Sequence, residues 1–190
     1  MKASVVIANY NNSKFIDECI ESLKNQTYKN IEIIFFDDNS HDNSLEVIKK
    51  FQNIKIIENK IQTEFGSFNQ MNAFRKSIES STGDVIFLLD SDDYFRKDKI
   101  EKVVDFFSKN KNENIVFDFP VVKKDNEEIP QNKKIKFFNT YWGYIHPTSC
   151  ISIKRTYSDK LFDKVIDNKF SDIWLDLRIL LLCKYLDKYN

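Results

Sequence analysis

The chain has 190 residues, of which 42% are hydrophobic and 14% aromatic, a composition typical of a folded domain with a full apolar core. Its 29 basic and 29 acidic residues cancel, which argues against a protein that binds nucleic acid by neutralising phosphates. With only three glycines and three prolines, the sequence is neither collagen-like nor linker-like, and an all-β fold with many turns is disfavoured.

The cysteines and the apolar runs indicate the cellular compartment in which the protein is located. Cys19, Cys150 and Cys183 are widely spaced and form no CxxC pair. We therefore interpret them as small buried side chains of a protein in a reducing environment. No signal peptide is visible at the start, and the longest apolar run, at 179–183, is too short to span a bilayer. We therefore predict a cytoplasmic protein, with the inner face of the plasma membrane as a further candidate location.

Strand and helix patterns alternate along the first 110 residues. Short apolar runs predict buried strands, and apolar residues at i, i+3, i+4 and i+7 predict amphipathic helices. In chain order, we predict strand 4–8, helix 16–23, strand 31–36, helix 45–51, strand 54–57, helix 68–78, strand 85–89 and helix 100–107. The order βαβαβαβα predicts an α/β fold whose mainly parallel sheet is covered by helices on both faces.

The pattern changes in the second part of the chain. We predict an apolar segment at 115–122, a mobile loop at 123–136 and a strand around 150–155. The segment 173–186 is apolar on nearly every side, which predicts a buried helix. Because the sequence ends four residues later, we expect this helix to be covered by a homodimer partner, a membrane surface or a further C-terminal segment.

Polar clusters follow three of the predicted strands. These clusters are Asn9-Tyr10-Asn11, Asp37-Asp38-Asn39-Ser40 and Asp90-Ser91-Asp92-Asp93. In an open α/β sheet, ligands bind beyond the carboxyl ends of the strands. We therefore expect the three clusters to converge on one edge of the sheet and to form a binding site there.

The acidic cluster has two interpretations. Asp90 and Asp92 point the same way in extended chain, and two such carboxylates favour Mg²⁺ or Mn²⁺ bound together with substrate phosphates. Alternatively, an aspartate here caps the following helix, which explains one acid and not three. The pair Asp37-Asp38 either accepts a hydrogen bond from a base or ribose or makes plain turn contacts, and Tyr10 is either a stacking surface or an ordinary aromatic.

Three motifs that the sequence lacks reduce the number of enzyme classes to which the protein can belong. No G-x-G-x-x-G follows the first strand, which disfavours a dinucleotide dehydrogenase. No G-x-x-x-x-G-K-[ST] and no G-x-S-x-G are present, which excludes P-loop nucleoside triphosphatases and α/β-hydrolases. At the predicted sheet edge the sequence carries acidic residues, where a phosphate-binding loop would carry glycines.

Four segments of the first half, taken together, resemble glycosyltransferase family 2, inverting enzymes with the GT-A fold. They are Ser4-Val-Val-Ile-Ala-Asn-Tyr-Asn, Leu23-Lys-Asn-Gln-Thr-Tyr-Lys-Asn-Ile-Glu-Ile-Ile, Asp37-Asp-Asn-Ser-His-Asp-Asn-Ser and Gly83-Asp-Val-Ile-Phe-Leu-Leu-Asp-Ser-Asp-Asp. The resemblance implies a Rossmann-like donor-binding half at 1–110 and a small acceptor-side half of the same domain at 111–190. It also implies a UDP-sugar donor and a saccharide or lipid-linked saccharide acceptor.

The resemblance assigns roles on the donor side. Ala8, Asn9 and Tyr10 would line the uridine pocket, and Asp38 would accept a hydrogen bond from uracil N3–H. Asp90 and Ser91 would lie near the ribose and diphosphate, and Asp92 would ligate Mn²⁺ or Mg²⁺. Asn72 matches a family position near the diphosphate. The usual arginine before it is replaced by Met71, and Arg75 is a candidate substitute.

The resemblance also reaches the second half. The segment 142–150 resembles the acceptor side and contains His146 and Thr148, although a lone histidine near aromatic residues such as His146 is more often a packed side chain. Asp172 matches the catalytic base that an inverting displacement needs, and general-base help contributes about 10²–10⁴ in rate. A helix cap is the alternative role for Asp172, and Asp176 is a second candidate base.

The sequence therefore predicts an inverting, metal-assisted glycosyltransferase for bacterial surface polysaccharides such as capsule or lipopolysaccharide. A sugar-phosphate nucleotidyltransferase is the rival enzyme, although the first loop lacks the glycines and arginine that such a site needs. A nucleotide-sugar binding module without catalysis is the rival that is not an enzyme.

Overall fold

The computed structural model describes residues 1–124, 127–130, 145–165 and 170–185. The helices are α1 (Ile16–Lys24), α2 (Ser44–Ile48), α3 (Gly66–Glu79), α4 (Lys99–Lys109), α5 (Arg155–Val165) and α6 (Leu175–Tyr185). The strands are β1 (Ala3–Asn9), β2 (Ile31–Asp38), β3 (Ile54–Asn59), β4 (Val85–Asp90), β5 (Ile115–Phe117), β6 (Val121–Lys124), β7 (Glu127–Pro130) and β8 (Ile151–Lys154). The predicted alternation over the first 110 residues is confirmed.

Six strands form one sheet in the order β3-β2-β1-β4-β8-β5. Strands β1 to β4 are parallel, whereas β8 runs antiparallel to both β4 and β5. The predicted α/β class with a mainly parallel sheet is therefore confirmed. The second half of the chain completes the same sheet by adding β8 and β5 to the free edge of β4.

Alternation along the central strands divides the core into two layers. Val5 and Ile7 of β1 pack with α1 and α4 on one face, and Val6 packs with α3, α5 and α6 on the other. Such period-2 alternation is what a strand buried on both faces requires. The predicted cover of helices on both faces is confirmed.

The second half departs from the sequence expectations in two places. Strands β6 and β7 pair antiparallel, so the prediction of a loop is wrong for 123–124 and 127–130. The rest of the predicted loop, at 125–126 and 131–136, lies outside the described residues. Helix α5 starts at Arg155, directly after β8, where the strand was expected to continue.

Helix α6 is less buried than its composition predicts. Leu175 and Ile179 are in the core, but the leucines at 177 and 180–182 are only half-buried. The described part of α6 packs on α5 and α3. Trp174, expected inside this helix, precedes it and is 51% exposed.

Glu32 joins three segments at the amino end of the sheet. Its carboxylate accepts hydrogen bonds from the Lys2 Nζ at 2.6 Å, the Ser4 Oγ at 2.5 Å, the Thr82 N–H at 2.5 Å and the Gly83 N–H at 2.9 Å. Burial alone would raise the pKa of Glu32, but these hydrogen bonds outweigh it and lower the pKa to about 2 from an ordinary value of 4.5.

The lowered pKa of Glu32 predicts that the protein becomes less stable as the pH falls below the ordinary glutamate pKa. Because the folded-state pKa lies below the unfolded one, its contribution is complete above about pH 4.5 and disappears as the pH falls towards 2. We expect the urea midpoints of the wild-type protein and Glu32→Gln to converge over this range. Glu113→Gln, at an exposed position, is the control. A difference between wild type and Glu32→Gln that is independent of pH would contradict the assignment.

Candidate functional site

The three polar clusters meet at the carboxyl edge of the sheet. In the strand register Ala8 lies beside Asp90 and Asn9 beside Asp37. The Ser91 N–H donates to the Ala8 carbonyl at 3.0 Å, which extends the pairing of β1 and β4 by one residue. The predicted convergence of the clusters is confirmed.

A cavity of about 550 Å³ opens at this edge. Helix α3 forms one wall, the ends of β1, β2 and β4 form the floor, and Trp174 comes from the second half of the chain. The lining residues are Ala8, Asn9, Tyr10, Asn12, Asp38, Gln62, Thr63, Glu64, Gly66, Asn69, Gln70, Ala73, Asp90, Asp92 and Trp174. Six residues that were predicted from sequence are brought together here: Ala8, Asn9, Tyr10, Asp38, Asp90 and Asp92.

Asp37 and Asp38 have different roles because adjacent strand residues face opposite ways. Asp37 is buried and accepts hydrogen bonds from Asn9 Nδ2 at 2.8 Å and from the Ser40 N–H at 3.0 Å. Asp37 therefore stabilises the turn that follows β2. Asp38 faces the cavity, where its two carboxylate oxygens accept from Asn59 Nδ2 at 2.7 Å and Gln62 Nε2 at 2.9 Å.

The turn after β1 holds Tyr10 at the cavity. Asn11 has a φ of 53°, a left-handed conformation that asparagine tolerates better than most residues. Its N–H donates to Ser40 Oγ at 3.0 Å, and its Oδ1 accepts from the His41 N–H at 2.8 Å. This locked turn leaves the Tyr10 side chain 47% exposed as part of the cavity wall.

Asp90 is the most perturbed carboxylate of the cavity. Burial raises its pKa to about 7, and the negative charges of Asp93, Asp92 and Asp176 act in the same direction. One hydrogen bond, from Gln70 Nε2 at 3.0 Å, partly opposes the rise. Burial and the neighbouring acids therefore both disfavour the charged form of Asp90.

The donor set fits a divalent metal that is bound together with a phosphorylated substrate. Asp90 and Asp92 both line the cavity, and Asp92 is exposed. Among the described residues, no group of three or more histidine, cysteine, aspartate or glutamate side chains forms a metal cage. Mg²⁺ typically takes one or two carboxylates and completes its shell with water and substrate phosphates, which matches two acids at an open cavity.

The segment before α6 is attached to the start of α3. The Ser67 Oγ donates to the Ser171 carbonyl, and the Trp174 ring packs on Gly66, where an added Cβ would lie 3.2 Å from its Cη2 atom. Asp172, the predicted base, is exposed on the turn between these two contacts. It lies two residues before a wall of the cavity and does not itself line it.

Ser91 and Asn72 lie near the cavity without lining it. Ser91 is fully buried, and its Oγ accepts from Asn12 Nδ2 at 3.0 Å. Asn72 is half-buried on α3, while Asn69 and Gln70 of the same helix reach the cavity instead. Arg75, considered as a substitute for the missing arginine, forms an exposed ion pair with Glu79 at 3.0 Å.

The two predicted acceptor-side residues lie in packed surroundings and line neither described cavity. His146 lies between the rings of Phe117 and Phe119, at centroid distances of 5.4 and 5.0 Å, and its Nδ1 is 2.6 Å from the Asp118 carbonyl oxygen. Thr148 is buried in a short 3₁₀ turn. The rest of the predicted acceptor segment, at 142–144, lies outside the described residues.

A second cavity of about 800 Å³ adjoins the first. Its walls are the β4–α4 loop, the start of α4, residues 118–123 and the turn at 147–150. Asp92 lines both cavities and therefore marks the point at which they adjoin. Within this second cavity Asp93 has a raised pKa because of burial, which a hydrogen bond from Ser149 partly offsets.

The sequence analysis missed several residues that line the cavity, although the spacing of four of them could have identified them. Gly66, Asn69, Gln70 and Ala73 are spaced i, i+3, i+4 and i+7, which places small and polar side chains on one face of α3. Motif matching pointed instead to Asn72. Gln62 and Trp174 lack any such local pattern.

In the described part of the chain, no helix combines the length and hydropathy needed to cross a membrane.

Comparison with solved structures supports the GT-A fold. S. aureus TarS 1-349 in complex with UDP aligns with a TM-score of 0.70 and 19% identity, over 95% of this chain and 54% of that one. The mannosyltransferase PcManGT from Pyrobaculum calidifontis, in complex with GDP-Man and Mn²⁺, aligns with a TM-score of 0.66 and 16% identity over 93% of this chain. At these identities the likeness establishes the fold alone.

Sequence comparison identifies the family. An uncharacterized glycosyltransferase of Nostoc sp. is 29% identical over 99% of this chain, which spans 61% of that protein. The Escherichia coli enzyme WfaP, a UDP-Glc:α-D-GlcNAc-diphosphoundecaprenol β-1,3-glucosyltransferase, is 31% identical over 92% of this chain and 69% of its own length. The profile of glycosyl transferase family 2 matches residues 4–167. The chain therefore belongs to glycosyl transferase family 2.

Proposed function

We propose that this chain transfers a sugar from a UDP-sugar to a hydroxyl group of a saccharide or lipid-linked saccharide, with inversion at the anomeric carbon. The observation that carries the proposal is the cavity at the carboxyl edge of the sheet. It combines a half-exposed aromatic ring, a carboxylate at the end of β2 and two carboxylates at the end of β4. These groups suit the three parts of a nucleoside diphosphate sugar.

In this proposal Tyr10 and Asp38 hold the base. The exposed Tyr10 ring offers a stacking surface, and Asp38 retains lone pairs after accepting from Asn59 and Gln62. An anionic acceptor of this kind pairs with the uracil N3–H. Ala8 and Asn9 form the floor beside the base, and the buried Asn9 Oδ1 has no hydrogen-bond partner within the described structure.

Asp90 and Asp92 are proposed to hold the metal and to lie nearest the diphosphate. A bound Mn²⁺ or Mg²⁺ would neutralise the charge that develops on the departing UDP. Asp92 is the direct ligand in this proposal, because its side chain is exposed to the cavity. The Gln70 amide fixes the orientation of the Asp90 carboxylate through its hydrogen bond.

Asp172 is the proposed general base. The acceptor oxygen forms a bond to the anomeric carbon while the bond from that carbon to the diphosphate oxygen breaks. The acceptor proton passes to the Asp172 carboxylate, and UDP departs on the opposite side. Two described contacts, Ser67–Ser171 and Gly66–Trp174, support this role because they keep the Asp172 turn beside the cavity.

The names of two relatives support the acceptor class and its setting. WfaP acts on a diphosphoundecaprenol-linked sugar, and a Bacillus spizizenii poly(ribitol-phosphate) β-glucosyltransferase is 38% identical over 50% of this chain. We therefore propose that the protein acts in bacterial surface polysaccharide synthesis, with its lipid-linked acceptor presented at the inner face of the plasma membrane.

Calorimetric titration of UDP tests the donor half of the proposal. We expect UDP to bind more tightly with Mn²⁺ than without it, and Asp92→Ala to abolish that gain. The loss should be at least the ~10–100-fold that removal of an outer-shell partner costs at metal sites. Asp93→Ala is the matched control, because it removes a neighbouring carboxylate that lines only the second cavity.

A folded wild-type protein that binds UDP under none of the metal conditions would refute the donor assignment. Equal losses in Asp92→Ala and Asp93→Ala would refute the specific role of Asp92. Titration of GDP in parallel distinguishes recognition of uracil from recognition of any nucleoside diphosphate.

A further inference from the structure

Trp174 is an exposed aromatic side chain that lines the candidate site. It is 51% exposed, yet it directly precedes a helix whose Leu175 is fully buried. Its exposed surface belongs to the wall of the 550 Å³ cavity. A large aromatic ring held open to a binding cavity is a common feature of sites that recognise ligands with apolar faces.

The ring lies on the Asp90 side of the cavity. Trp174 packs on Gly66, and Gln70, one helical turn along the same face of α3, donates to Asp90. Asp38 ends β2, which is two strands away from β4, or about 10 Å.

The backbone around Trp174 is fixed on both sides. The Ser67 Oγ donates to the Ser171 carbonyl, and the Arg178 Nε donates to the Ile173 carbonyl at 2.7 Å. The Nη2 of Arg178 donates to the Phe170 carbonyl. A ring positioned before the ligand arrives loses little conformational freedom on binding, so its contact contributes more to affinity.

From these contacts we infer that Trp174 is the surface on which the pyranose ring of the donor sugar packs. The apolar C–H face of a pyranose matches the negative face of the indole ring. The base end of the cavity has its own aromatic ring in Tyr10. This inference rests on the proposed function, because it places the sugar beyond the diphosphate on the Asp90 side.

The test compares UDP with UDP-hexoses in calorimetric titrations with Mn²⁺. UDP-glucose, UDP-galactose and UDP-N-acetylglucosamine are the probes, and the tightest one for the wild-type protein is used. We expect Trp174→Ala to weaken that UDP-hexose by about 3–10-fold, while UDP stays within about twofold. Trp174→Phe should recover most of the loss. Phe170→Ala removes an exposed ring that does not line either described cavity and should change neither affinity.

Fluorescence gives a second readout that does not depend on the alanine variant folding well. The chain has two tryptophans, so Trp142→Phe leaves Trp174 as the only one. We expect the UDP-hexose to change its emission more than UDP does. Equal weakening of UDP and UDP-hexose in Trp174→Ala, or equal spectral changes, would overturn the inference. Failure of the wild-type protein to bind UDP would instead refute the proposed function, and with it this inference.

Discussion

Replacing Asp172 by asparagine should lower the rate of sugar transfer from a UDP-hexose to the acceptor, followed as formation of UDP, by about 10²–10⁴-fold. This is the usual contribution of a general base. The substitution keeps the size and the capping ability of the side chain but cannot take up the acceptor proton. Because Asp172 is exposed and does not line the described cavity, the affinity for UDP should be unchanged. Initial rates of UDP release, together with calorimetric UDP affinities, measure the two effects separately.

Asp176→Asn is the control for this experiment. Asp176 lies one turn further, in the first turn of α6, where burial raises the pKa of its carboxyl group. Its Oδ1 accepts from the Leu177 N–H at 2.7 Å, a local contact typical of the start of a helix. If Asp176→Asn lost turnover and Asp172→Asn retained it, Asp176 would be the base and the present assignment would be wrong.

Replacing Arg178 by methionine should destabilise the protein by about 2–4 kcal/mol, because buried carbonyl groups would lose their donors. The guanidinium is buried and donates to the carbonyls of Val165, Phe170 and Ile173. It also lies 5.8 Å from the centre of the Phe68 ring. Arg178→Lys keeps the charge without the planar fork and should recover only part of the loss. Urea unfolding measures both variants.

Arg155 provides a matched comparison for Arg178. It also donates to main-chain carbonyls, those of Gly83 at 3.1 Å and Ile78 at 2.8 Å, but at the amino end of the sheet. We expect Arg155→Met to lower stability without changing UDP-hexose binding, whereas Arg178→Met should lower both. Equal effects on binding would show that Arg178 contributes only general stability.

The first 110 residues were predictable because local patterns and tertiary environment agree there. Val5, Val6 and Ile7 form a short apolar run, and the structure buries all three between two helix layers. The polar residues that end β1, β2 and β4 were predicted to converge, because the carboxyl ends of parallel strands share one edge. The strand register confirms that reasoning.

The second half was less predictable because its elements depend on distant partners. Helix α5 begins at Arg155 immediately after β8, so no turn residue separates the two, and Arg155 is held by the carbonyls of Gly83 and Ile78. His146 owes its position to two aromatic rings almost thirty residues earlier in the chain. Trp174 reaches the cavity through its contact with Gly66, more than a hundred residues away. No local sequence window contains such contacts.

The position of β8 in the sheet has a consequence for synthesis on the ribosome. After β4 has emerged, roughly sixty more residues must be made before β8 covers its free edge, which takes about 3–12 seconds at ordinary elongation rates. Strand β5 emerges earlier, but among the described strands its one partner is β8, so it does not cover that edge. During this interval the apolar strand at 85–89 is a template for pairing with other nascent chains. Nascent chains stalled before residue 151 should therefore be the most prone to aggregate and the most dependent on chaperones.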